Sequence, residues 1–490
     1  MTVKAPRIVL FRHAPVDFDS RIKRVARTLQ RGGFEPIIIS VEPADGESGE
    51  FLLGGDIRVI RVPLKVAPAA PKPAAQVAAD ADKLRRQRKV YAQRVSGLDA
   101  RSAKSAIKWG LTSGRLASMR GNRFAKALLR RANSAKVALV ERNHPFNSLD
   151  LAANHPQAYN ITHTLTDLLV SLEPDVLHAH NPVALPAAYE AMVRLKARGK
   201  TVKLSYDVRE DFAGLPDKEI GSRNAFDAVL EMEKRFMPFA DYVWTVTESH
   251  AELLKKKYNL PVLPDTFVNM SVFQPMVGDI TVREAAGLSE DTPLLVYAGI
   301  MSWARGMETL IEAMSMVDEA VHLAIVSVPN PHPMKPKLEA LAEEFGVLDR
   351  IHFVDPVSQA HLSYYLSGAD IAVHPLPGGS PNHDRTLPNK LFEYMHAELP
   401  LVSSDAKTMA KFVVDNGMGE VFRSEDPVDL ARAISLELRN PVSQEHMHAL
   451  AEKFSWQANE PRIIEAYSRL TGFPGTLADG EFGTTEVTPA

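Results

Sequence analysis

The sequence predicts an α/β protein of two doubly wound domains that face each other across a cleft, the first carrying a basic helical insertion. Three observations lead there. Apolar runs of strand length alternate with amphipathic helical stretches, once between Arg7 and Phe267 and again between Leu294 and Ser403, the pattern of a parallel sheet wrapped by helices. At 490 residues the chain exceeds what one ordinary core holds together. A segment of different composition interrupts the first series. From Lys83 to Arg142 there are 17 Lys and Arg against two acids, Asp99 and Glu141, a charge of +15; with a chain total of −3, the remaining residues carry −18.

Taken in order, Arg7-Ile8-Val9-Leu10-Phe11 reads as a buried strand. A loop from His13 to Ser20 leads into a helix with Ile22, Val25, Ala26 and Leu29 on one face, closed by Gly32-Gly33. Pro36 to Ile39 and Ile57 to Val62 supply the next strands, and strand-helix-strand at these lengths starts a parallel sheet. Ala67 to Ala79 is a Pro/Ala-rich connector, and the insertion is expected over about 68–145. Within it, Ile107, Trp109, Leu111, Leu116, Phe124, Leu128 and Leu129 are interleaved with the basic residues, as in an element lying on an anionic membrane surface. The alternative is a helical insertion packed on its own domain. Too few aromatics accompany the charge for stacking on bases, so nucleic acid is not expected.

The sheet resumes with helix Thr162 to Leu172, strand Asp175 to His178, helix Val183 to Arg198 and strand Thr201 to Ser205. Strand Tyr242 to Val246, helix Glu248 to Tyr258 and strand Val262 to Phe267 follow, so the N-terminal domain is placed at 1–270 and Val268 to Gly278 is read as a hinge. The C-terminal domain, 279–455, has strands at Leu294 to Ala298, Val321 to Val326, Ile351 to Val354, Ile371 to His374 and Leu401 to Ser403. A last helix over 456–472 is expected to cross back to the N-terminal domain, and the Gly/Thr-rich residues 473–490 are expected to be disordered.

Composition sets the class. Apolar content of 45% and charged content of 24% are those of a globular protein. No run approaches the ~18 apolar residues that span a bilayer, and Met1 to Phe11 lacks the pattern of a secretory signal. Zero cysteines exclude disulfides and thiolate metal sites. The expected location is cytoplasmic, peripheral on the inner face of the plasma membrane.

Chemistry concentrates at strand ends. In Leu387-Pro388-Asn389-Lys390-Leu391-Phe392-Glu393-Tyr394-Met395, a loop ends in proline and a helix starts, so the amides of Asn389 to Leu391 form a positive end that favours phosphate. Lys390 adds a formal charge, and Glu393 is placed to take a ribose hydroxyl. Gly299-Ile300-Met301-Ser302-Trp303-Ala304-Arg305-Gly306 follows a strand and opens a helix, with Arg305 as a candidate diphosphate clamp. In Asp175-Val176-Leu177-His178-Ala179-His180, the second histidine stands at the strand tip. Nothing in the sequence points to a third metal ligand beside the two histidines, so a substrate-hydroxyl contact is the reading for His180, against a plain hydrogen-bonded strand-end histidine. Tyr206-Asp207-Val208-Arg209-Glu210-Asp211-Phe212 holds either polar substrate contacts or an internal salt-bridge network. His13, Asp17, Asp19 and Arg21 follow the first strand beside the same cleft, as acceptor contacts or, for Asp19, a helix cap. Nucleophile-elbow, zincin, P-loop and dinucleotide glycine signatures are all missing.

These stretches resemble the retaining, GT-B-fold glycosyltransferases of family 4 (group 1). Pro388 to Met395 is similar to the family's P-x-K-x-x-E-Y-M signature, Gly299 to Gly306 to its phosphate turn, Asp175 to His180 to its D-v-x-H-x-H strand end, and Tyr206 to Glu210 to its Y-D-x-H-E segment. The resemblance implies two Rossmann-like domains and a UDP- or GDP-linked nucleotide-sugar donor as substrate, with no cofactor and no essential metal. Gly299, Arg305, Asn389, Lys390, Leu391 and Glu393 would hold the donor. His180, Arg305 and Lys390 would be catalytic, and Asp17, Arg21, Asp207 and Glu210 would meet a glycan or lipid-linked acceptor. The implied function is sugar transfer in polysaccharide or glycolipid biosynthesis. The chain departs from the pattern at Ile300, where members often carry arginine, at Arg305 for lysine, at Arg385 for glutamate and at Arg209 for histidine. Those departures keep two alternatives in view, a non-catalytic binding or scaffold subunit and a nucleotide-sugar epimerase of the same fold.

Overall fold

The computed structural model describes residues 4–65, 151, 155–215, 223–327 and 330–490. The chain divides into one unit of Met1–Lys65 with Leu151–Ala490 and another of Val66–Asp150. The basic insertion and its expected membrane role fall outside the described residues.

The first unit contains two sheets, one for each expected domain. The N-terminal sheet takes β1 (Arg7–Phe11), β2 (Glu35–Glu42), β3 (Gly49–Leu53), β4 (Ile57–Pro63), β5 (Val176–His180), β6 (Lys203–Val208), β7 (Tyr242–Thr245) and β8 (Asp265–Thr266). The C-terminal sheet takes β9 (Leu294–Ala298), β10 (His322–Val326), β11 (Ile351–Val354), β12 (Ile371–His374), β13 (Leu401–Ser404) and β14 (Val421–Phe422). A final strand, β15 (Val487–Pro489), returns to the first sheet.

The spatial orders are β15-β3-β4-β2-β1-β5-β6-β7-β8 and β11-β10-β9-β12-β13-β14. Every pairing is parallel except β3 with β4 and β15 with β3. In the second sheet the chain runs outward from β9 to β11, then jumps back to lie beside β9 as β12. That reversal is the Rossmann switch point, and the first sheet has the same reversal between β1 and β5. Loops leaving the carboxyl ends of the two strands at a reversal diverge, and the crevice between them is where ligands bind in such sheets.

Local sequence explains the elements. Strands β1 and β9 are apolar runs sealed on both faces, as parallel strands under two helical layers must be. On the helix Ser20–Arg31, Ile22, Val25, Ala26 and Leu29 form one buried stripe. Asp19 caps it, its carboxylate accepting from the Arg21 and Ile22 amides at 3.1 Å each. On the helix Asn389–His396, Leu391, Phe392, Tyr394 and Met395 point into the C-terminal core.

The last helix, Glu460–Thr471, lies in the N-terminal core. Trp456, Ile463, Ile464 and Tyr467 share one cluster with Ile8, Leu10, Val25 and Leu29. The segment after it corrects the expectation of a disordered tail. Strand β15 pairs antiparallel with β3, Val487 opposite Leu53 and Pro489 opposite Phe51, and Phe482 is buried in the same cluster. Two arginines of the first helix satisfy the carbonyls of the strap: Arg31 donates to Ala478 and Gly480 at 3.0 Å, and Arg27 donates to Thr484 at 3.0 Å. Composition suggested disorder, yet one buried phenylalanine and two donor-rich side chains are enough to order it. Strand β3, which pairs with both β4 and β15, was not expected from the sequence.

Candidate active site

At the C-terminal switch point, the turn after β9 presses on the end of β12. Gly306 has φ of +75°, and a Cβ there would lie 2.0 Å from the Pro375 carbonyl oxygen, so only glycine fits both the dihedral and the space. Gly306 is also the N-cap of the helix Met307–Met314, and Arg305 ends the 3-10 turn just before it. The same turn leaves Ile300 59% and Trp303 37% exposed, so its lip is apolar where an arginine would have added charge.

The helix Asn389–His396 is pinned to β9 through Tyr394, whose hydroxyl accepts from the Ala298 amide at 2.8 Å. A Cβ on Gly299 would lie 3.8 Å from Lys390 Cε, so Lys390 stands beside the phosphate turn. The Lys390 ammonium donates to Glu393 Oε2 at 2.5 Å. Asn389 accepts from Asn269 Nδ2 at 2.6 Å, and Asn269 accepts in turn from Arg24 Nη2 at 2.6 Å. The backbone part of the expectation needs one correction. The Leu391 amide donates to the Pro388 carbonyl at 3.1 Å, because the first turn closes tightly, and its side chain is sealed in the core. Asn389 and Lys390 therefore carry the open amides of this helix end.

Two residues here escape the sequence reading. His374, at the tip of β12, is 4% exposed, and neither ring nitrogen has a partner among the described residues. Burial, then the nearby charges of Arg305 and Lys390, push its pKa down to about 3. The Arg305–Gly306 turn packs on Pro375, next to His374, and Lys390 stands beside Gly299, so Arg305 and Lys390 flank the same crevice. A histidine followed by Pro375 at a strand end was the available signal. Arg24 is the other: burial and the neighbouring Arg21, partly offset by Glu393, lower its pKa to about 10. Nothing in its sequence context distinguishes it from the other arginines of its helix.

The N-terminal switch point is a buried charge cluster. Arg21 donates to Asp207 through Nε at 2.8 Å and Nη2 at 3.0 Å, and to the Phe267 carbonyl at 2.7 Å. Arg209 reaches Asp19 at 2.7 Å and Asp207 at 3.3 Å, and Arg12 also pairs with Asp19. Burial by itself raises the pKa of both acids. Arg209 and Arg12 override it at Asp19, and Arg21 and His180 override it at Asp207, so both stay ionised. Of the two readings left open for this stretch, the internal network is the one observed.

The expected acceptor contacts are accordingly redrawn. Arg21 and Asp207 are buried and bonded to each other rather than facing open cleft. Asp17 pairs with Arg61 at 3.0 Å, while Glu210 is exposed on the loop. His180 does not face open cleft: it is fully buried. Its Nδ1 lies 2.9 Å from Asp207 Oδ2 and 2.8 Å from Arg209 Nη2, and its Nε2 has no protein partner. Burial and Arg209, partly offset by Asp207, lower its pKa to about 4, so the ring is neutral at pH 7. His178, with ring centroid 4.3 Å from that of His180, is bonded through Nδ1 to the Tyr467 hydroxyl.

The fold does supply the third potential metal ligand that sequence spacing did not. His178, His180 and Asp207 place one ligand atom each within 4.8 Å of one another, because Asp207 stands opposite His180 in register. Both Asp207 oxygens already accept from Arg21, and Arg209 adds a second guanidinium. A divalent cation there would meet two fixed positive charges, so the donor set suits an arginine-bound carboxylate better than a metal.

Residues 292–440 match the family model described as Glycosyl transferases group 1. A D-inositol 3-phosphate glycosyltransferase of Xylanimonas cellulosilytica is 24% identical over 254 residues, 49% of this chain and 59% of that protein. The chain thus spans less than two thirds of that relative. Sucrose-phosphate synthase from Thermosynechococcus elongatus superposes with a TM-score of 0.63 at 16% identity, covering 95% of this chain and 99% of the other. Anabaena HepE in complex with UDP-glucose gives 0.56 at 13% identity, covering 95% and 100%. These likenesses show the fold, which is GT-B. Among the described residues, no helix is long and apolar enough to cross a membrane.

Proposed function

We propose that the chain is a retaining glycosyltransferase that moves a sugar from a UDP- or GDP-linked donor to a glycan or lipid-linked acceptor. The observation that carries the reading is that Lys390 stands beside Gly299 and the Arg305–Gly306 turn packs on Pro375 at the C-terminal switch point, next to the open amides of Asn389 and Lys390. As the bond from sugar C1 to the diphosphate breaks, negative charge grows on the phosphate oxygens. Fixed guanidinium, ammonium and amide donors stabilise that charge more than the ground state, which is what lowers a barrier. Glu393, now bonded to Lys390, would exchange that partner for ribose hydroxyls.

The relative named for D-inositol 3-phosphate and the UDP-glucose complex of HepE support this reading. The +15 segment Lys83 to Arg142 supports work at an anionic cytoplasmic membrane surface; unchanged co-sedimentation with anionic vesicles after its removal would reject that role. The central test is a panel of UDP- and GDP-sugars followed by calorimetry and turnover. Turnover that is lost in Arg305→Ala and in Lys390→Ala is the expected result, and full activity in both variants sinks the clamp. Binding without turnover would favour the scaffold reading, and a changed sugar without acceptor the epimerase.

A further inference from the structure

Two loops from opposite domains are bonded to each other. One follows β6 and carries Asp211 to Gly214; the other follows β12 and runs from Ser380 to Arg385, ending four residues before Asn389. Arg385 Nη1 donates to Asp211 Oδ2 at 3.0 Å. The Asp211 amide donates to Asn382 Oδ1 at 3.1 Å, and the Asn382 amide donates to the Gly214 carbonyl at 3.0 Å. Thr247 Oγ1 donates to the Arg385 carbonyl at 2.7 Å. A Cβ on Gly214 would lie 2.9 Å from both the Asn382 amide and Pro381 Cβ, so the backbones touch without room for a side chain.

The same segment is tied to its own domain by the neighbouring acid. Asp384 accepts from the Gly379 amide at 3.2 Å and pairs with Lys407 at 3.0 Å. Asp384 thus faces inward and Arg385 faces across, and the chain between them and Asn389 is only three residues long. Asp211 is 5% exposed, so its ion pair is shielded on the acid's side. The groups that face it are Arg385, His250, Glu233 and Tyr258, and burial keeps His250 neutral at pH 7.

We propose that Asp211 and Arg385 are positioning residues, a clasp that seats the start of the donor helix against the N-terminal domain and keeps the cleft shut during transfer. This rests on the glycosyltransferase reading. In transfer, the C1–O bond breaks with its electron pair leaving on the diphosphate. An acceptor hydroxyl oxygen bonds C1, and its proton passes to the diphosphate. In hydrolysis the same bonds change, with water in place of the acceptor. An open cleft admits water, so a broken clasp raises hydrolysis relative to transfer.

The test uses the full chain as wild type, Arg385→Ala, the charge-exchanged pair Asp211→Arg with Arg385→Asp, and the neutral pair Asp211→Asn with Arg385→Gln. Radius of gyration is read by solution scattering, and the hydrolysis-to-transfer ratio is read with UDP-glucose as donor probe. Arg385→Ala should expand the particle and raise the ratio roughly tenfold, as losing one shielded charged bond implies. At least one bonded pair should restore both readings. A wild type and Arg385→Ala of equal radius overturn the clasp, as does an expansion that neither pair reverses. If wild type turns over no member of the UDP- and GDP-sugar panel, the donor reading fails while the scattering comparison still decides the clasp.

Discussion

Replacing Arg21 by methionine isolates the central ion pair of the N-terminal domain. The change removes two bonds to Asp207, at 2.8 and 3.0 Å, and one to the Phe267 carbonyl at 2.7 Å. Asp207 keeps Arg209 at 3.3 Å and His180 at 2.9 Å, both from one side. Both members of the pair are sealed from solvent, so water cannot replace what is lost. A buried charge stripped of its main partner costs about 3–5 kcal/mol, a large part of the ~5–15 kcal/mol by which a domain is stable. Urea unfolding followed by tryptophan fluorescence is the assay, since the Arg21 guanidinium lies 5.1 Å from the Trp244 ring. The pH dependence supplies a sign. Asp207 is held below its ordinary value of 3.8 in the folded protein, so its contribution is present above that pH and lost as pH falls through its folded pKa. The deficit of Arg21→Met should therefore be full at neutral pH and narrow below 3.8. The double variant Arg21→Met with Asp207→Leu should recover part of the loss, because the carboxylate stripped of its main partner is gone while Arg209 keeps Asp19. A single variant costing under about 1 kcal/mol, the scale of an exposed pair, or a double variant no better than the single, would refute the reasoning.

Gly306→Ala should cost about 1–2 kcal/mol for the left-handed backbone alone, and more for the contact with Pro375. UDP binding by calorimetry should weaken with it, and unchanged affinity would mean that the turn after β9 does not shape the donor crevice. Burial holds His374 down to about 3 and His180, His250 and His396 down to about 4, against 6.5 unfolded. The unfolded chain then binds more protons, so stability is whole above 6.5 and declines as pH falls toward 4, by up to about 1.4 kcal/mol per unit for each histidine. A urea midpoint that stays level between pH 7.5 and 5 would contradict these burials.

Much of the architecture was legible because parallel sheets write themselves as apolar runs. Leu294 to Ala298 and Ile8 to Phe11 need no partner to be recognised. The phosphate turn was legible for a similar reason: a glycine at each end, a strand before and a helix after admit few geometries. Legibility failed where function depends on pairing between distant segments. Arg21 and Asp207 look like free polar residues beside a cleft, and only the return of β6 beside β5, opposite the first helix, turns them into a sealed pair. Arg385 read as the loss of an acid. In three dimensions it is a gained contact, because Asp211 lies across the cleft. His374 was missed because its significance comes from two cations supplied by other loops.

The C-terminal strap has a consequence for the order in which the protein is made. The C-terminal core is drawn from a continuous stretch between Met270 and Ala451, whereas the N-terminal core also needs Trp456, Ile463, Tyr467 and Phe482. A ribosome will have released every strand of the first sheet but one, and then the whole second domain, before that core can close. Until residue 489 emerges, β3 has an uncovered edge and Phe34 lacks Tyr467 and Phe473 against its ring. The N-terminal domain therefore waits for residues synthesised after the second domain, and until they arrive its core and the β3 edge stay open to other chains.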